Sequence, residues 1–306
     1  MKNRRLKKAR TINMGENAAF FIIMLPFVIL FFLFNILPVL SSMGLSFFDY
    51  DMVSKPIFAG LENYSRMFAE DDLFLKIVGN TLKFSIVAGP LSYIIAFLLA
   101  WMINEFSPQI RVVLTFIFYA PALVGNAYFI WQVLFSSDSY GYMNNILISL
   151  GLLNEPVNWF QNTEYNMTLV LIVQLWMSMG VSFLANIAGL QNVNTELYEA
   201  GAIDGIKTRW HELWYITLPS MKSILLFGAV MQIQAVFSVS DIITTLAGYP
   251  SVNNSVDTLV SYIKDVGTTL YEMGYASALS VFLFVMVLIF RFGIGALLNL
   301  IGKSDS

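Results

Sequence analysis

The chain has 306 residues, 57% of them hydrophobic and 12% charged, with a formal net charge of -3 and no cysteine. Soluble domains run nearer about 45–50% and about 25%, so an ordinary globular domain is excluded and a chain crossing a membrane several times is indicated. The missing cysteines exclude disulfides and cysteine-ligated metals, and no nucleic-acid partner is expected.

In chain order, residues 1–16 form a basic N-terminal segment that carries Lys2, Arg4, Arg5, Lys7, Lys8 and Arg10. Residues 17–48 hold no Asp, Glu, Lys or Arg. This run exceeds the roughly 7–15 apolar residues of a signal-peptide core, and no small-residue cleavage site follows it. A first span is therefore expected, kinked or bounded by Pro26 and Pro38. Five further spans are expected near 81–104, 111–135, 167–190, 220–240 and 275–301. Each can cross a hydrocarbon layer of about 30 Å at about 1.5 Å per residue. Residues 17–301 thus read as one all-α polytopic domain of about six transmembrane helices, followed by a tail at 302–306.

The basic residues orient the chain. With the N-terminus inside, the inner segments hold its six basic residues together with Arg111, Lys207, Arg209, Lys222 and Lys303, eleven in all. The outer segments hold five: Lys55, Arg66, Lys76, Lys83 and Lys264. Arg291, late in the last span, can snorkel to the inner face. Both termini and the loop at about 191–219 are therefore expected in the cytoplasm. The outer segments 49–76, 136–166 and 241–274 are long and acidic. They read either as surface loops or as a docking surface for an external partner.

Between their flanking residues the spans hold almost no ionisable groups. Such groups usually mark proton relays or ion paths, so a proton-coupled carrier is disfavoured. Paired acids for an intramembrane protease are missing too, and the single histidine, His211, lies in the loop as a solvated residue. The spans do offer uncharged polar and aromatic side chains. Asn126, Tyr128, Trp131 and Gln132 occur in the third, Gln174, Trp176, Ser178 and Asn186 in the fourth, and Gln232, Gln234 and Ser238 in the fifth. They could line a path for a hydroxyl-rich solute, or they could simply join helices. By helical spacing, at most one of Gln232 and Gln234 should face a path.

The most polar sizeable stretch after the N-terminus is Glu199-Ala-Gly-Ala-Ile-Asp-Gly-Ile-Lys-Thr-Arg-Trp-His-Glu-Leu-Trp-Tyr-Ile-Thr-Leu-Pro219. Asp204-Gly205 reads as a helix stop, with Gly205 able to take the left-handed C′ position. A second short helix should follow, and Pro219 suits the first turn of the next helix. Gly201 to Thr208 looks at first like a phosphate loop. That loop needs glycine directly before the lysine and a preceding strand; here Ile206 precedes Lys207 and no strand is expected.

The pattern E-A-G, two residues, D-G, ten residues, I-x-L-P resembles the EAA loop of bacterial ABC importer permeases, with Gly201 where alanine is usual. Phe58-Ala-Gly-Leu-Glu-Asn-Tyr64, Asn80-Thr81, Gly141-Tyr-Met-Asn144 and Ala188-Gly189-Leu190-Gln191 resemble signatures of the sugar-transporting, maltose-type branch. One departure is Thr245-Leu-Ala-Gly248-Tyr-Pro250, where a Thr-Gly-Gly-Gly-Pro-like turn is common in that branch. The resemblance implies a type I importer permease fold in a bacterial cell membrane. It further implies a second permease, two ATPase subunits, an external solute-binding protein and a sugar substrate. Glu199, Ala200, Gly201, Asp204 and Gly205 would then couple the chain to the ATPases. ATP and Mg would be held by those partners and no cofactor by this chain. Asn126, Trp131, Gln174, Trp176, Asn186, Gln232 and Gln234 are the candidate path residues. One rival is a permease of the same kind for another solute, such as glycerol phosphate. The other is a secondary carrier, which should show internal repeats, charged intramembrane sites or discontinuous helices at matching positions in two halves.

Overall fold

The computed structural model describes residues 14–237 and 239–301, and the side chains of residues 20–237, 239–293 and 295. The basic residues Lys2 to Arg10, the path candidate Ser238 and the tail with Lys303 lie outside the described residues.

The first apolar helix consists of α1 (Met14–Phe31), a π-helical turn at Phe32–Ile36 and α2 (Leu37–Leu45). The Leu37 N–H reaches back five residues to the Phe32 carbonyl. This widened turn falls directly before Pro38, which has no N–H to give and crowds the carbonyl four residues back. The most apolar part of Phe20–Leu45 is unburied by the rest of the chain.

A two-residue hairpin, β1 (Phe48–Asp49) against β2 (Ile57–Phe58), leads into α3 (Glu62–Ala69). The Asn63 amide donates to the Ser46 and Phe48 carbonyls at 3.0 Å, and Tyr64 Oη donates to Ser46 Oγ at 2.8 Å. The Asn-Tyr pair of the first motif thus fastens the hairpin to the end of the first span. Helix α4 (Phe74–Asn104) has 31 residues, so at about 1.5 Å each it outruns the bilayer core and starts a turn or two before the expected residue 81. There Asn80 donates to the Asn254 and Asp257 carbonyls, and Thr81 Oγ1 accepts the Leu259 N–H at 2.9 Å.

Helix α5 (Pro108–Val124) ends at Gly125, with φ +71°, and α6 (Phe129–Leu134) follows. Helix α7 (Tyr142–Ser149) carries the buried Asn144. Its amide nitrogen donates to the Ser136, Asp138 and Val157 carbonyls, and its oxygen accepts from Val157 N–H and Trp159 Nε1. One side chain therefore ties down the segment 136–159. Helices α8 (Asn166–Met177) and α9 (Val181–Gln191) meet at a 43° bend. The loop holds α10 (Thr195–Ile203) and α11 (Arg209–Glu212), a π-helical turn at Leu213–Thr217, and α12 (Leu218–Ser220). The same proline logic recurs here, since Leu218 N–H reaches back to Leu213 directly before Pro219. An 81° bend at Met221 leads into α13 (Lys222–Phe237). Helices α14 (Asp241–Ala247), α15 (Leu259–Thr268) and α16 (Met273–Ile301) complete the chain.

Among the described residues, three helices are long and apolar enough to cross a membrane, or five if each bent pair counts as one span. Helix α5, at 17 residues, is shorter. An apolar run long enough to cross is not always a helix long enough, and the runs from 111, 167 and 220 are each broken. Two bent helix pairs are present among the described residues. Apolar clusters hold the bundle together. One packs α4 against α9 through Ala96, Ala100, Phe183 and Ile187 and takes in Leu213 of the loop.

Candidate functional site

Two features stand out, one at the loop and one where helices break. In the loop, Asn194 caps α10 by accepting the Glu196 N–H, and Thr208 caps α11 by accepting from His211. Helix α10 stops at Ile203 with Asp204 as its C-cap, and Gly205 has φ +94°. The Ile206 N–H bonds the Gly201 carbonyl at 2.9 Å and the Gly205 N–H bonds that of Ala202 at 3.4 Å. This is the Schellman pair of bonds, 6→1 and 5→2, that closes a helix on a left-handed residue.

Gly201 is buried while Glu199, Ala200, Asp204 and Gly205 are exposed. A Cβ at Gly201 would lie 2.7 Å from Ile216 Cδ1 and 3.2 Å from Ile206 Cδ1. The residue that departs from the usual alanine is thus where α10 touches the second half of the loop. Both obstructing atoms are ends of flexible side chains. Gly201→Ala gains about 1 kcal/mol of helix propensity and costs about 0.5–1.5 kcal/mol in a shifted rotamer. The expected outcome is a thermal midpoint of the detergent-purified chain within a few degrees of wild type. Ile203, Trp214 and Tyr215 are 87%, 64% and 72% exposed on the same loop. Sequence reasoning described this loop as polar and passed over that apolar face. The large aromatic side chains within a charged stretch were the signal for it.

The second feature is a cavity of about 770 Å³ lined where the helices are interrupted. Its walls come from the end of α5 (Gly125, Asn126), the α8–α9 bend (Gln174, Ser178, Ser182) and the end of α13 (Gln232, Gln234, Ser240). Tyr119, Tyr128 and Met231 add aromatic and apolar surface. Among the described residues, the single carboxylate in the lining is Asp241, 3.5 Å from Lys264 Nζ, and the lining contains no lysine or arginine. Tyr128 Oη donates to Asn126 Oδ1 at 3.0 Å, and Gln232 donates to Ser92 Oγ of α4 at 2.7 Å. Among the described residues, Gln174 Oε1, Ser182 Oγ and Ser240 Oγ have no hydrogen-bond partner. Hydrogen-bonding capacity therefore remains unspent in these walls.

The structure brings Asn126, Gln174, Gln232 and Gln234 together at this cavity. Both glutamines of α13 line it, against the expectation from their spacing, because the helix ends at Phe237 and the cavity extends past its last turn. Trp131, Trp176 and Asn186 are not in its lining. The two tryptophans pack on each other edge to face at 5.9 Å, and Asn186 is fully buried. Tyr119, Ser182 and Asp241 were missed by sequence reasoning, since only the breaks bring them to one place.

Residues 88–301 match the family described as binding-protein-dependent transport system inner membrane component. The chain belongs to this family. It is 30% identical over 282 residues to the arabinooligosaccharides transport system permease protein AraP of Bacillus subtilis (strain 168), covering 92% of this chain and 88% of that one. It is 29% identical over 276 residues to the lactose transport system permease protein LacF of Rhizobium radiobacter, covering 87% and 89%. A chain in the crystal structure of a bacterial alginate ABC transporter, in complex with an alginate pentasaccharide-bound periplasmic protein, superposes with a TM-score of 0.80 at 22% identity. That match covers 96% of this inner membrane component and 98% of the other chain. The fold is thus that of an ABC importer permease, and the protein is a multi-pass membrane protein.

Proposed function

We propose that this inner membrane component forms half of the path of an ATP-driven importer of neutral saccharides. A second permease would supply the other half, two ATPase subunits the energy, and an external binding protein the cargo. Family membership supports the importer. The cavity carries the cargo class, because its lining offers amides, hydroxyls and tyrosine rings but no cation. Sugar hydroxyls take and give hydrogen bonds, and their C–H faces rest on aromatic rings. A phosphate-bearing cargo such as glycerol phosphate would need lysine or arginine there, so this lining disfavours that rival. The relatives named for arabinooligosaccharides and lactose agree with a saccharide.

In this reading Glu199, Ala200, Gly201, Asp204 and Gly205 shape the element that seats on the ATPases, and Ile203, Trp214 and Tyr215 form its contact face. ATP and Mg belong to those partners, and hydrolysis occurs there. Closure of the ATPases pulls the loop and switches the cavity from one side of the membrane to the other. The loop and both termini are cytoplasmic. In intact cells, an impermeant thiol reagent should label Asn145→Cys and spare Ile206→Cys in this cysteine-free chain. Strong labelling at position 206 would overturn the orientation. In the assembled transporter, hydrolysis should rise with saccharide-loaded binding protein. A rise only with phosphorylated or charged solutes would overturn the cargo class.

A further inference from the structure

The loop and the cavity are far apart, and the way movement passes between them is not given by the coupling reading on which this inference rests. Helix α4 runs from Phe74 to Asn104 without interruption, whereas α5, α8–α9 and α13 end or bend at the cavity. Its stretch from Ser92 to Asn104, beyond the interior Pro90, is therefore the continuous member beside a set of broken ones. At one end, Trp101 and Glu105 meet the loop. Arg209 Nη2 lies 2.8 Å from Glu105 Oε2, and the Trp101 and Trp210 rings are 5.3 Å apart. About 20 Å along the same helix, at about 1.5 Å per residue, Ser92 accepts the hydrogen bond from Gln232 in the cavity wall.

Among the described residues, only a few polar and aromatic groups connect the loop to the tip of α4. A polar cavity of about 480 Å³ lies between the loop and the end of α4, lined by Trp101, Glu105, Arg111, Tyr198, Arg209 and Glu212. The charged pair and the tryptophan pair reach across it. Arg209 is suited to this because its other nitrogen, Nη1, is held by Glu212 of its own loop at 2.6 Å. One carboxylate fixes the guanidinium to the loop and leaves its second edge directed at α4, using the planar fork that lysine lacks. Leu213, four residues on, is buried in the apolar cluster that also holds Ala100 and Ile103 of α4. It can serve as the pivot about which the arginine contact acts.

We propose that Arg209 and Glu105 are positioning residues that carry the loop's movement into α4, and through the Ser92–Gln232 bond into the cavity wall. Neither touches cargo or nucleotide in this scheme. The pair is half exposed, with side-chain exposures of 62% and 40%. Its removal should therefore change coupling more than folding.

The test uses the complete complex in proteoliposomes and measures saccharide moved per ATP hydrolysed, beside the amount of ATPase that co-purifies. Glu105→Gln and Arg209→Gln should keep the ATPase, while transport per ATP falls about two- to fivefold, the range one such ion pair can supply. Arg209→Lys should retain most of the ratio. Exchanging the charges, Glu105→Lys with Arg209→Glu, in a Glu212→Gln background that removes the repulsion Glu212 would otherwise exert, should recover at least half of it, which a merely structural role would not do. An unchanged ratio in both single variants overturns the proposal, and so does an exchanged pair no better than the worse single variant. Loss of the ATPase from Glu105→Gln also overturns it, by making the pair part of docking. Gly205→Val separates this failure from failure of the coupling reading, because it should lose the ATPase whether or not the relay exists.

Discussion

Gly205→Val is expected to reach the membrane at the wild-type level yet lose about tenfold in both ATPase co-purification and uptake. The glycine stands at φ +94°, between the two hydrogen bonds that close α10. Nothing lies within 4 Å of where its Cβ would be, so the penalty is one of backbone conformation and not of collision. A β-branched residue strongly resists that region, at a cost of about 1–3 kcal/mol. The chain can relieve this by opening the turn, which tilts α10 against α11 and leaves the spans intact. At about 1.4 kcal/mol per tenfold in an equilibrium, such a tilt is enough to unseat a docking surface. Gly205→Asn, which tolerates left-handed backbone, should be far milder. If Gly205→Val inserts normally, keeps its ATPase and transports at the wild-type rate, this loop is not the coupling element.

The second large effect is expected in the cavity. Gln232→Leu should lower uptake about tenfold or more with little change in protein level. Leucine is close to glutamine in volume, and Ser92 still donates to the Ala88 and Gly89 carbonyls, so no donor is orphaned. The stability cost should be about 1 kcal/mol. A sugar hydroxyl left facing leucine in a desolvated site loses about 1–3 kcal/mol, roughly five- to 150-fold. Gln109→Leu, on the exposed first turn of α5, is the control and should transport normally. Equal uptake by Gln232→Leu and wild type, across a range of saccharide concentrations, would place the path elsewhere.

Much of this was legible because it is local. The helix stop at Asp204-Gly205 needs only one glycine and its neighbours, and the Schellman bonds follow from it. The prolines at 38 and 219 fixed the places where the helical ladder had to widen. The asparagines of the family motifs proved to be fasteners, with Asn63, Asn80 and Asn144 each binding carbonyls of distant loop segments. That role cannot be read from spacing, because their partners lie up to 177 positions away. The cavity was legible only in part for the same reason. Pro121 lies one turn before the break at 125, and no proline marks those at 178–180 or 239–240. Apolar runs through those positions look continuous, and residues on opposite faces of α13 come to line one space. Trp131 and Trp176 show the converse. They suited a sugar platform by type, yet the fold packs them edge to face on each other.

The measurement that bears most directly on the central claim is uptake of a labelled neutral oligosaccharide into proteoliposomes. These should contain this chain, its partner permease, the ATPase and the loaded binding protein. Uptake should require ATP on the ATPase side, be unaffected by collapsing the proton gradient, and disappear when this chain is left out. Uptake that proceeds without ATP and follows an imposed proton or sodium gradient would contradict this claim.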